Sequence, residues 1–167
     1  MTAGLVVAED GCPLTYTFED LMKYHGPGNP GGVAHAYKVM ERALPLLDPD
    51  EPVERRQVAI RTSFGGPGAR DAFEMVLRTA TGDRYVVDPT LARPERGTTL
   101  ERYVFRLEYR GRTVTLVVRE GFVTDEFIAL SRKEGRSADE DRHLAVLKQE
   151  MADRLLSKPA VDVYDVP

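Results

Sequence analysis

The side chains with chemistry to offer are few, and their neighbours decide which of them could use it. His25 stands in the stretch Tyr24-His25-Gly26-Pro27-Gly28-Asn29-Pro30-Gly31-Gly32. Glycine lets the backbone come close to a ligand, and proline stiffens the loop. An imidazole beside such a loop suits a metal ligand or a general base. A second loop of the same kind, Gly65-Gly66-Pro67-Gly68, follows Ser63 and precedes Arg70, Asp71 and Glu74. Together the two loops hold seven of the fourteen glycines. Each leads straight into a helical pattern, so each presents backbone N–H groups and the positive end of a helix dipole. That is a place for a carboxylate, a phosphate or a developing oxyanion.

The expectation is therefore a pocket shared by the two loops. Its catalytic candidates are His25, Asp71 and Glu74, with Asp71 orienting a histidine or accepting a proton. Ligand contacts are expected from Tyr24, Gly28, Asn29, Gly31, Ser63, Gly66 and Arg70, the last as a forked partner for an anion. His25 and His35 form a candidate metal pair, because His35 falls in the first turn of the helix after the loop. No His-Glu-x-x-His pattern supports the pair. Glu74 also faces Arg78 at helical spacing, which suits an exposed first turn.

Other signatures fail. Ser63 lacks the Gly-x-Ser-x-Gly setting of a hydrolase nucleophile. The second loop lacks the lysine and hydroxyl of a phosphate-binding loop, and no strand precedes Gly26 as a dinucleotide fingerprint requires. His143 sits among Asp139, Glu140, Asp141 and Arg142, a solvated neighbourhood. The single cysteine, Cys12, excludes an intrachain disulfide and a multi-cysteine zinc site.

The elements that must position these residues follow from pattern and punctuation. At 167 residues, 42% hydrophobic and 30% charged, the chain reads as a single globular domain over 1–167. A net charge of −4 argues against a nucleic-acid binder. No apolar run approaches the ~20 residues of a membrane span, and the first residues lack the pattern of a signal peptide, so the expected location is cytoplasmic. Residues 1–13 read as a mobile lead-in and 158–167 as a tail that adds an edge strand or packs down. A short helix capped by Thr17 covers 17–24. Val33, Ala36, Tyr37, Met40, Leu44 and Leu47 mark the long helix behind the first loop. A strand within 56–64 leads to the second loop and its helix. A short strand at 84–88 precedes a hairpin around Arg110-Gly111-Arg112. Thr124 caps a helix to about Lys133, and Ser137 with Glu140 makes a capping box for the last one. The fold class is α+β, a mixed and mostly antiparallel sheet with helices packed on it.

In order and residues the chain resembles the FmdE-like family, named for a component of formylmethanofuran dehydrogenase. Tyr24-His25-Gly26 with Pro30-Gly31 is similar to the family's aromatic-His-Gly and Pro-Gly motif. Tyr37-Lys38-Val39-Met40 is similar to the helix behind it, and Arg70-Asp71-Ala72-Phe73-Glu74 to a later segment of the family. The resemblance spans roughly residues 15–158 and implies a helix-strand-helix-strand-strand-strand core, a metal-associated site and a homodimer. Pro27 and Asn29 stand where the family usually has a second histidine and a cysteine, so His25 alone carries over as a ligand. The implied cofactor is a divalent metal such as zinc. The expected function is that of a small-molecule or metal-binding protein, or an enzyme acting on a small anionic or carbonyl substrate through His25. The alternative is a non-catalytic ligand- or metal-binding accessory subunit of a redox enzyme.

Overall fold

The computed structural model describes residues 4–167. Its first element is a hairpin, β1 (Leu5–Glu9) and β2 (Cys12–Tyr16), turned at Asp10-Gly11. The expected mobile lead-in is thus corrected over the described part of 1–13, and residues 1–3 lie outside it. Leu5 and Val7 are buried while Val6 is exposed, so the strand packs one face into the core. Arg55 fastens this corner, donating to the carbonyls of Met75 and Val76 and pairing with Glu9.

Next come α1 (Phe18–His25) and α2 (Pro30–Leu47). Thr17 caps α1 in a reciprocal box with Asp20. Gly26, at φ 92°, stops α1 in a conformation L side chains resist, which leaves His25 as its last residue. α2 is the hub of the fold. Its apolar positions run all round it, and α1, α3 (Pro67–Leu77) and α5 (Ala138–Leu156) enclose it against the sheet. β3 (Ala59–Thr62) enters α3, and β4 (Tyr85–Val87) returns parallel to β3.

The sheet continues with the hairpin of β5 (Val104–Tyr109) and β6 (Arg112–Val118), and β7 (Tyr164–Asp165) closes it in the order β4-β3-β5-β6-β7. All pairings except β3–β4 are antiparallel. In register, Ile60 and Leu107 lie side by side on the helix-covered face, as do Thr62, Phe105 and Leu116, while Arg61 and Arg106 share the other face. The α+β class stands as expected. The tail adds the edge strand, with Tyr164 fully buried. α4 (Asp125–Arg132), capped by Thr124, contributes no fully buried residue and lies against α5. Among the described residues no helix is long and apolar enough to cross a membrane.

Candidate functional site

The two glycine-rich loops meet. A Cβ on Gly68 would come within 2.8 Å of the Asn29 carbonyl oxygen and 3.1 Å of the Val33 nitrogen, so the starts of α2 and α3 touch backbone to backbone. Glycine here serves helix packing. Both helices begin with proline, and neither N-terminus is capped by a side chain. First-turn N–H groups of two adjacent helices are thereby left for another partner.

Asn29, at the cap position of α2, sends its side chain elsewhere. Its amide nitrogen lies 3.1 Å from His25 Nε2, and its oxygen accepts from Lys148 Nζ at 3.0 Å. On the far side of the imidazole, Nδ1 is 2.7 Å from an Asp71 carboxylate oxygen. The directions are fixed by the ends. A lysine ammonium only donates and an ionised carboxylate only accepts. Asn29 must then turn its oxygen to Lys148 and its NH2 to His25. Nε2 accepts, and Nδ1–H donates to Asp71. His25 is buried in its side chain (7% exposed), and Asp71 is partly open. Asp71 therefore orients a histidine, as its position suggested.

Lys148 opens onto a cleft of about 430 Å³ between the starts of α2 and α3 and the α4–α5 pair. Arg102, Arg132 and Arg136 line it with Lys148, and among the described residues lining it none is acidic. Phe64, Tyr103, Phe127, Ile128, Leu144 and Met151 form its apolar wall. Arg136 is largely committed, donating to carbonyls at the end of α4 and pairing with Asp141 at 2.8 Å. Arg102 and Arg132 are exposed, and among the described residues their side chains make only a 3.4 Å contact, from Arg132 to the Thr98 carbonyl. Burial, and then the nearby Arg136 guanidinium, pull the Lys148 ammonium below its ordinary pKa.

The remaining expected residues divide. Gly66 lines the cleft with Asn29, and Gly28 lends Lys148 a carbonyl at 3.4 Å. Gly31 meets Met151 of α5 in helix packing. Ser63 is buried and donates to the Arg102 carbonyl at 2.8 Å, tying β3 to the loop that carries Arg102. Tyr24, Arg70, Asp71 and Glu74 line a second, more open surface of about 420 Å³ with Ala80 and Thr81, and none of them lines the cleft. Glu74 has both carboxylate oxygens engaged by Thr81, whose N–H lies at 2.8 Å, so it holds the turn after α3. Arg70 therefore faces this second surface with Tyr24 and Asp71 and not the cleft beside Lys148, and Glu74 is corrected as an open acid–base group.

His35 is sealed in the core. Its Nδ1 lies 2.7 Å from the Tyr164 hydroxyl and its Nε2 3.4 Å from Met151 sulfur, with the ring tilted over Tyr103 at 4.7 Å. Burial lowers its pKa to about 3. The two histidines share no hydrogen-bond partner, and the expected metal pair does not form. Among the described residues no group of three or more His, Cys, Asp or Glu is placed to hold a metal. Both nitrogens of His25 are taken, one by the single Asp71 carboxylate and the other by the Asn29 amide, and the next polar group is the Lys148 ammonium. This donor set does not suit a resident zinc. No family model matches the chain, and no curated protein matches it at a significant level.

Proposed function

We propose that this domain binds a small organic anion with an apolar body in the cleft between the starts of α2 and α3 and the α4–α5 pair. One observation carries the reading: in a chain of net charge −4, four cationic side chains line one cleft with no acidic residue among its described lining and an aromatic and aliphatic wall beside them. Charges of one sign over low-dielectric walls concentrate the opposite charge. Uncapped helix N-termini add to the same field. The cleft's size falls in the ~300–1,000 Å³ range of small-molecule sites.

The non-catalytic form of this reading, a ligand sensor or an accessory subunit, is favoured by the occupation of both ring nitrogens of His25. The enzymatic form rests on the same cations, which would stabilise negative charge developing on a carbonyl or carboxylate substrate. Membership of the FmdE-like family remains a proposal, supported by an element order, α1-α2-β3-α3-β4-β5-β6, that follows the one the resemblance implies. A homodimer and a cytoplasmic location are proposed with it.

Calorimetric titration with 4-phenylbutyrate, acetate and inorganic phosphate tests the reading. We expect 4-phenylbutyrate to bind best and Arg132→Gln to weaken it about tenfold, the loss of one charge-assisted contact. Equal indifference of the wild-type protein to all three probes would overturn it.

A further inference from the structure

We propose that Asn29, held by His25 and Asp71, is the positioning residue that presents the Lys148 ammonium to the anion in the cleft. The inference rests on the reading of the cleft given above and adds which cation contacts the anion and what aims it.

Asn29 at the start of a helix would ordinarily turn its side chain back onto the first-turn N–H groups. It does not, and α2 keeps no side-chain cap. Its amide instead bridges an imidazole and an ammonium, each within hydrogen-bond reach. The bridge has one workable polarity. Were the amide reversed, its NH2 would face the Lys148 N–H groups and its oxygen would face the lone pair of Nε2. Asp71 prevents the escape in which the imidazole changes tautomer, because its carboxylate at 2.7 Å requires a proton on Nδ1. Three residues from α1, the start of α2, and α3 thus set the orientation of one amide oxygen.

The beneficiary is Lys148. A lysine is a point charge on a flexible four-carbon stem, and holding it costs side-chain entropy. Here Asn29 Oδ1 at 3.0 Å and the Gly28 carbonyl at 3.4 Å receive two of its N–H groups. An ammonium has three, and the third is left for a ligand. Lys148 lies between Leu144 and Met151 at helical spacing, so its stem follows the apolar stripe of α5 while its head lines the cleft. Arg136 is spent on α4 and Asp141, which leaves Lys148 as the half-buried cation best fixed in place.

A double-mutant cycle read by titration with 4-phenylbutyrate tests the inference. Lys148→Gln should weaken binding about tenfold, and Asn29→Ala severalfold in the wild-type background but not further in the Lys148→Gln background. His25→Gln, whose amide oxygen can still accept from Asn29, should keep near wild-type affinity, and His25→Leu should behave like Asn29→Ala. A loss on Asn29→Ala that is equal in both backgrounds would overturn the inference and leave the cleft reading standing. Failure of the wild-type protein to bind any organic anion removes both. Independently of any probe, the imidazole 15N spectrum of the ligand-free protein should show His25 protonated on Nδ1 and bare on Nε2. Protonation on Nε2 alone would sink the relay.

Discussion

His25 and His35 are ten residues apart, and in both rings the two nitrogens have partners, yet the protein uses them in opposite ways. His35 joins α2 to Tyr164 of β7 and Met151 of α5, with no exposed surface. Its bonds close on themselves inside the core. His25 lies at a helix end, and its bonds run from a partly open carboxylate through an amide to an ammonium at the edge of a cleft. The lesson is that occupied ring nitrogens do not separate a structural histidine from a site histidine. What separates them is where the chain of partners ends.

The comparison breaks most sharply on stability. His35→Ala opens a cavity in the core and strands the buried Tyr164 hydroxyl, so it should cost about 3–4 kcal/mol. Urea unfolding measures it. A loss below about 1 kcal/mol would mean that His35 is not the keystone its burial implies.

Acid sharpens the same contrast. In the folded protein His35 has its pKa lowered to about 3 by burial, against ~6.5 for an unfolded histidine. Between these values the unfolded chain binds the extra proton, so stability rises with pH, is complete above ~6.5 and is lost as pH falls toward 3. From pH 6.5 to pH 5 this one group should remove about 1.6 kcal/mol. In His35→Gln the fall over the same interval should be shallower by that amount, read as the difference between the two proteins' unfolding curves. Parallel curves would show that His35 reaches a proton without unfolding.

The loops themselves give a smaller effect. Gly68→Ala places a methyl against the Asn29 carbonyl and the Val33 nitrogen, which are backbone atoms and cannot swing away. We expect a cost of about 1–3 kcal/mol from prying the two helix starts apart. Stability unchanged on Gly68→Ala would mean that the loops have slack, and the tight meeting of α2 and α3 would no longer explain how Asn29 is placed.

Much of this architecture is legible in the residues. The 3.6-residue spacing and the Thr17, Thr124 and Ser137 caps mark helices whose starts the structure reproduces. The glycine-rich loops mark where helices begin. They do not mark a ligand, because packing contacts such as Gly68 on Asn29 need glycine as much as a phosphate does. The β1–β2 hairpin stands where a mobile lead-in is expected, although Asp10-Gly11 between Val7 and Leu14 is a strong turn signal. Arg102, Arg132 and Arg136 are out of reach of sequence reasoning, since their convergence depends on how α4 folds back over the starts of α2 and α3. Lys148 does leave a trace. It sits four residues after Leu144 and three before Met151, a charged side chain on a buried stripe.

The smallest expected change is on the other side of the comparison. His25→Ala removes a largely buried ring and two hydrogen bonds, but Asp71 and Asn29, the partners it leaves, both have some access to water and can be resolvated. The cost should be about 1 kcal/mol, because a net hydrogen bond is worth roughly that when its partners are not trapped dry. For a domain of this size it corresponds to a fall of about 2–4 °C in melting temperature. Thermal melts of His25→Ala and His35→Ala side by side then decide the matter. A drop for His25→Ala as deep as that for His35→Ala would make both histidines structural, and the Asp71–His25–Asn29 series would be a strut of the fold with no charge to set.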